Sequence, residues 1–399
     1  MHTTLTLLEV ESTFIAKQMA SISTATFFEG NLEDVKVEII NRFKAIVKLN
    51  PWLSGKIIDQ KGHKRLHLYY QTTPSKETFE KLYKFNPAGL KIDSSMPYET
   101  LAKKLRPYLV KSPSKMINSD LLVTQLLLIP DSNEPSKKFA LVLSMSHSIA
   151  DGHTYYQIFN MLSSKSKIVG LNVQRKESIM ADVVDTFGKK EYRYLKCLPH
   201  VINIFKGIIL GKKSQAHIYY VDPLKIEKIK ASISANNSQE YVSSNDILTS
   251  TFSNFIQSRI TLMAINFRNK FKGLNGNDAG NYEGAILYDK GIYANAQSIR
   301  KSLTSQPYVG LIKSLPSVLE GAFCQMGLIT NWSSFCEEIY LKDASQVLHL
   351  PITNSAGNAP YEMAVIFRPT KGKLAIIYFS KIFSTEDFEK SDLPISKKI

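Results

Sequence analysis

Cysteine is scarce in this chain of 399 residues: Cys197, Cys324 and Cys336 are all there is, and no two stand at Cys-x-x-Cys spacing. So few thiols exclude a disulfide framework, argue against a structural zinc or other metal site, and suit a reducing, cytoplasmic setting. Long apolar runs are missing as well. The mostly apolar stretch from Leu198 to Leu210, flanked by Lys196 and Lys212-Lys213, is too short to span a bilayer. It reads as a buried helix, with contact to a membrane surface as the open alternative. Met1 to Ser12 has neither a basic n-region nor a long apolar h-region, so no signal peptide is expected. The G-x-S-x-G, G-x-G-x-x-G and H-E-x-x-H patterns are absent, and G-I-I-L-G-K-K at 207–213 has the wrong spacing for a phosphate loop. Nucleophile-elbow hydrolysis, dinucleotide binding and zinc proteolysis are thereby set aside.

What is present is enough for a folded protein. Hydrophobic residues make up 44% and aromatics 10%, and the length suits two domains of similar size better than one core. Lys+Arg 50 against Asp+Glu 35 leaves a net charge of +15, a field that favours polyanions. Those charges are scattered in pairs such as Lys103-Lys104, Lys137-Lys138 and Lys189-Lys190. No basic block or recognisable module gathers them, so nucleic acid is not expected as a partner.

The pattern alternates between elements. Residues 32–49 carry Val35, Ile39, Ile40, Phe43, Ile46 and Val47 on one helical face, and Asn50-Pro51 stops that helix ahead of a strand at Lys56-Ile57-Ile58. Strands are expected at 121–129 and 138–146, joined by the polar turn Pro130 to Pro135. From Ser163 to Gln215 the pattern loosens. Asp222-Pro223 then opens a helix over 224–234, and Ser244-Asn245-Asp246 caps a second. Further strands are expected at 262–267, 285–288, 325–330, 362–367 and 374–379, with a last short helix from Ser384. The class is therefore α/β or α+β, built as two-layer sandwiches. The expected division is a first domain over 1–170, a crossover at 171–215 and a second domain over 216–399.

One hexad bears chemistry: His147-Ser148-Ile149-Ala150-Asp151-Gly152, an H-x-x-x-D-G pattern. Before it, Phe139, Leu141, Leu143 and Met145 alternate with Ala140, Val142 and Ser144, which predicts a half-buried strand. After it, Tyr155, Ile158, Phe159 and Leu162 return at helical spacing. His147 thus stands where a rigid strand meets a loop, a place from which an imidazole can exchange protons near neutral pH. On these residues alone, a histidine merely bonded to backbone beside an Asp-Gly turn is the competing reading.

With the elements in place, the sequence resembles the CoA-dependent acyltransferase superfamily with the chloramphenicol acetyltransferase-like fold, which includes BAHD enzymes, condensation domains and wax-ester synthases. The matching segments run in order: Leu7-Leu8-Glu9, Asn50 to Gly55, the hexad, Ser243 to Thr249, Asn266-Phe267-Arg268 with Gly280-Asn281-Tyr282, and Thr330-Asn331-Trp332. Where BAHD enzymes carry D-F-G-W-G, this chain has Asp343-Ala344-Ser345-Gln346-Val347.

The resemblance implies two similar domains with a channel at their interface and His147 at its middle, as general base for O- or N-acyl transfer through a tetrahedral intermediate. It implies that Asp151 and Gly152 shape the loop, with Arg268 pairing either Asp151 or Asp343. Thr330, Asn331 and Trp332 are the expected oxyanion or substrate contacts, Ser148 a weaker one, and Asn281 and Tyr282 the expected channel lining. No bound cofactor is implied. The co-substrate would be acyl-CoA, or a thioester on an acidic acyl or peptidyl carrier protein, with a small molecule as acceptor and a monomer as the working unit. The alternatives are a condensation-type enzyme and a catalytically idle member that binds an acyl ligand or a partner.

Overall fold

The computed structural model describes residues 1–209, 211–236, 241–304, 308, 312–353 and 359–399. Leu210, the end of the apolar run, lies outside them. The amphipathic face of residues 32–49 does form one helix, Leu32–Leu49, capped by the Asn31 side chain and burying Val35, Ile39, Phe43 and Ile46. That face packs on Phe139, Leu141, Leu143 and Met145 of the strand Lys138–Met145. The opposite face of the same strand is covered too, since Ala140 and Val142 belong to a different core. The alternation is therefore real, but the strand is buried on both sides rather than half-buried, as befits the centre of a sheet.

That sheet has five strands, in the order Ser345–Pro351, Ile22–Glu29, Lys138–Met145, Thr124–Pro130 and Tyr83–Phe85. The hairpin expected around Pro130 to Pro135 is present: Thr124–Pro130 pairs antiparallel with Lys138–Met145. Asp131 Oδ1 accepts from the amides of Asn133 and Glu134 to hold its turn. A seven-stranded sheet runs Glu283–Tyr288, Ile260–Asn266, Met326–Asn331, Glu362–Phe367, Ala375–Ser380, Gln215–Val221 and Ile395–Lys398. The helices Pro223–Asn236 and Ser244–Phe255 cover one of its faces. The second helix is capped by Ser243, one residue earlier than the sequence suggested, through a reciprocal bond with Asp246. A small third sheet joins His2–Thr6, Leu66–Gln71 and Lys56–Asp59.

The two large sheets share one core, to which the helix Tyr98–Leu105 also contributes. Ala25, Phe27, Ala140 and Val142 come from the first sheet, and Ile218, Val365, Ile377 and Phe379 from the second. One strand ties the halves together further. Ser345–Pro351 comes from late in the chain yet pairs antiparallel with Ile22–Glu29, so the second half supplies an edge of the first sheet. Neither strand was legible in the sequence.

The loosely patterned stretch holds three helices, Ile179–Phe187, Lys189–Lys196 and Leu198–Ile209, which pack against residues of the seven-stranded sheet. The last is not the buried helix expected. His200, Asn203 and Ile204 are buried, whereas Leu198 is 69% exposed. Asn203 pins the helix to its neighbour by donating to the carbonyls of Gly321 and Cys324. Among the described residues no helix is long and apolar enough to cross a membrane.

Candidate active site

The hexad lies where the two sheets approach. Strand Lys138–Met145 ends, a turn closes from the Ser146 carbonyl to the Ile149 amide, and helix Gly152–Asn160 begins at once. Asp151 is its N-cap, Oδ1 accepting from the Thr154 amide at 2.9 Å, a role that sequence and local physics share. The other oxygen faces the second half of the chain. Asp151 Oδ2 accepts from Arg268 Nη1 at 2.6 Å and from the Tyr282 amide at 3.0 Å.

Arg268 is fully spent on this joint. Its Nε donates to the Asp278 carbonyl, and Nη2 donates to the Thr154 hydroxyl and the Gly280 carbonyl. Both members of the ion pair are buried. Burial by itself would raise the Asp151 carboxyl, but the charge and hydrogen bond of Arg268 overcome it and hold the group below the usual carboxylate range. Asp151, not Asp343, is thus the partner of Arg268. Asp343 lies instead in the turn ahead of the crossing strand, its carbonyl pressed against Gly30.

His147 is held from one side. The Asn281 amide nitrogen donates to the His147 carbonyl at 2.7 Å and to Glu11 Oε1 at 3.1 Å. The Asn281 oxygen, 3.0 Å from His147 Nδ1, is therefore the acceptor of that contact. It follows that Nδ1 carries a proton, and that in the neutral imidazole the lone pair is on Nε2. Asn281 is fixed in turn by Glu11, whose Oε1 also accepts from the Asn281 amide while Oε2 accepts from the Leu8 amide and from Arg175 Nε. Arg175 is anchored on the carbonyls of Ala279 and Ile149. Its guanidinium lies where a side chain at residue 280 would stand: a Cβ there would meet Arg175 Cζ at 3.0 Å, and φ is +140°. Only glycine suits that position.

Nε2 points the other way, 3.7 Å from Glu283 Oε1. Burial pushes the Glu283 carboxyl above its ordinary value, with His147 pulling it back. Asn281 and Glu283 line a cavity of about 190 Å³ together with Val10, Ile179, Val183, Phe187 and Leu287. The crossover helices thus roof a largely apolar space beside the imidazole.

The strand end expected opposite the hexad is close to it as well. A Cβ on Gly152 would sit 3.1 Å from the Trp332 indole nitrogen, so glycine allows the indole to lie against the start of the helix. Asn331 is occupied, its amide nitrogen donating to Asn245 and its oxygen accepting from the Ser333 amide and hydroxyl. Thr330 carries no side-chain hydrogen bond among the described residues, and the Ser148 hydroxyl is buried and unpaired. Tyr282 is buried, its hydroxyl accepting from the Lys176 amide, which leaves only its ring for the cavity.

Glu11, Arg175 and Glu283 were not singled out in the sequence. A glutamate at the third position of a short helix was the one available signal for Glu11. The other two are lone charged residues in unpatterned segments.

This arrangement of sheets matches known structures over nearly the whole chain. The trichothecene 15-O-acetyltransferase of Fusarium sporotrichioides is 12% identical with a TM-score of 0.62, over 98% of this chain and 93% of that one. The chain has the chloramphenicol acetyltransferase-like fold. TRI101 of the same organism, complexed with coenzyme A and T-2, is 13% identical with a TM-score of 0.61, over 97% of this chain and 96% of that one. The first condensation domain of the CDA synthetase is 9% identical with a TM-score of 0.58, over 94% of this chain and 88% of that one. No protein-family model matches the sequence, and no curated protein does. The mixed α/β fold class stands as the sequence led one to expect.

Proposed function

We propose that this chain is an acyltransferase that moves an acyl group from acyl-CoA to a hydroxyl or amine of a small acceptor. The observation that carries the reading is the fixed tautomer of His147. With Nδ1–H committed to Asn281, the neutral ring carries its lone pair on Nε2, beside Glu283 and the cavity that Glu283 lines, ready to accept the acceptor's proton as the acceptor attacks the thioester carbonyl. The same nitrogen returns that proton to the sulfur as the C–S bond breaks. No enzyme-bound acyl group is required, since the acceptor itself is the nucleophile.

The other residues divide by what they are free to do. The Trp332 indole N–H and the Thr330 hydroxyl are the oxyanion donors of this proposal, because Asn331 is already spent holding its strand end. Asp151, Gly152 and Arg268 fix the loop. Asp343 keeps its turn against Gly30, and Tyr282 packs. Coenzyme A in the TRI101 complex supports acyl-CoA as donor. The likeness to a condensation domain supports a carrier-bound thioester as the second donor to try.

The test is thiol release by purified protein from a series of acyl-CoAs, with and without alcohols and amines. Acceptor-dependent release is the expected result. Release from an acyl carrier protein but from no acyl-CoA would move the donor to the carrier, and no release from either would end the proposal. Asn281→Leu keeps the side-chain volume but removes the bond that sets the tautomer. A neutral hydrogen bond of ~0.5–1.5 kcal/mol corresponds to a loss in kcat of up to about tenfold, with little change in KM. An unchanged kcat in steady-state assays would contradict the orienting role.

A further inference from the structure

Two acceptors stand together beside the apolar cavity, which Glu283 lines. One is the lone pair on His147 Nε2 and the other the Glu283 carboxylate, 3.7 Å away. That separation is too long for a hydrogen bond between them, and neither group has a proton to offer the other while both are in their basic forms. Among the described residues no lysine or arginine makes an ion pair with Glu283, whose only such contact is His147. The other charged groups of the cavity are engaged elsewhere. Glu191 folds its carboxylate back against Gly188 at the start of its own helix, and Lys196 pairs with Glu9 at 3.3 Å. The carboxyl of Glu283 is raised because burial and the Asp151 charge outweigh the pull of His147 and of the more distant Arg268 guanidinium.

What closes this gap is a donor with two hydrogens. An atom placed about 2.8 Å from both acceptors, an ordinary hydrogen-bond distance, fits between groups at this spacing. A hydroxyl has one hydrogen and satisfies one of them, whereas an amine nitrogen has two and an ammonium three. The walls of Val183, Phe187 and Leu287 offer nothing polar to the remainder of the molecule. We propose that the acceptor is a primary amine on an apolar body, bound as its ammonium between Glu283 and His147. This deepens the acyltransferase reading and rests on it.

The chemistry balances. Nε2 takes one proton from the ammonium, and the freed nitrogen lone pair forms the C–N bond at the thioester carbonyl. The C–S bond then breaks with its electron pair on sulfur, which receives that proton from Nε2. The second proton leaves the new C–N nitrogen for the neutral Nε2 and passes to water. Ammonium and thioester thus become amide, thiol and one released proton. Throughout, Glu283 stays ionised and offsets the positive charge, first on the ammonium and then on the imidazolium.

The experiment compares isosteric pairs, hexylamine with hexanol and 2-phenylethylamine with 2-phenylethanol, using acetyl-CoA and octanoyl-CoA. Free thiol and acylated product are both measured, with uncatalysed aminolysis subtracted. The amines are expected to exceed their alcohols in kcat/KM by at least about tenfold, the size of a charged hydrogen bond. Glu283→Gln should raise the KM for amines at least about tenfold and the KM for alcohols far less, while kcat falls with both because the imidazolium forms with either acceptor. Wild-type protein that prefers the alcohols would overturn the amine assignment while leaving acyl transfer standing, as would equal rises in KM for both partners in Glu283→Gln. Absence of thiol release from every pair would overturn the underlying reading and this one with it.

Discussion

His147→Ala is expected to lower acceptor-dependent thiol release by ~10²–10⁴-fold, the range over which a positioned acid–base group acts. The loss should fall on kcat more than on KM, because the imidazole contributes most as the proton moves. The rest of the site is held independently of the ring: Asn281 keeps its bonds to Glu11 and to the His147 carbonyl. A melting temperature close to wild type should therefore accompany the loss. Equal rates in wild type and variant, measured with one acyl-CoA and one acceptor at saturation, would remove His147 from the chemistry.

The second large effect is on stability. Arg268→Met is expected to cost ~3–5 kcal/mol, because it strands the Asp151 carboxylate in a buried joint rather than merely deleting a contact. The pH dependence gives the effect a sign. In the native protein Asp151 is held below the usual carboxylate range, so its share of stability is present above the unfolded value of ~3.9 and fades only as pH falls through the lower folded one. Without Arg268, burial takes over and raises the same group. A raised carboxyl stabilises at low pH and loses that contribution as pH rises, so the variant is most impaired near neutrality. The gap in melting temperature between the two proteins should narrow as pH is lowered from about 7 toward 5. If the single variant is not recovered in soluble form, Asp151→Asn with Arg268→Met removes both charges and should be recovered better. A gap that widens on acidification would contradict the assignment.

The part of this site that was legible in the sequence is the part written into local structure. His147, Asp151 and Gly152 sit at a strand end and a helix cap, and both have short-range signatures. Asn281 and Arg268 were reached only through their resemblance to motifs, and which carboxylate Arg268 meets had to await the fold. Glu11, Arg175 and Glu283 carry no local signature at all. Each becomes informative only because distant segments converge: Glu11 lies 164 residues from Arg175 and 270 from Asn281. The strand Ile22–Glu29 escaped notice because it is buried on both faces and so shows no alternation. Ser345–Pro351 escaped because the residue pattern of an edge strand does not say which sheet it joins.

The strand that crosses between the halves has a consequence for biosynthesis. Ile22–Glu29 leaves the ribosome early, but its outer neighbour is not made until Pro351 has been added. Until then the nascent first sheet presents an unpaired apolar edge, the kind of surface on which chains mispair. Completion of that sheet must therefore wait until the second half has been synthesised. The two halves are in this sense a single folding problem. Cutting the gene between them would give not two modules but one fragment with an open edge and another with a displaced strand.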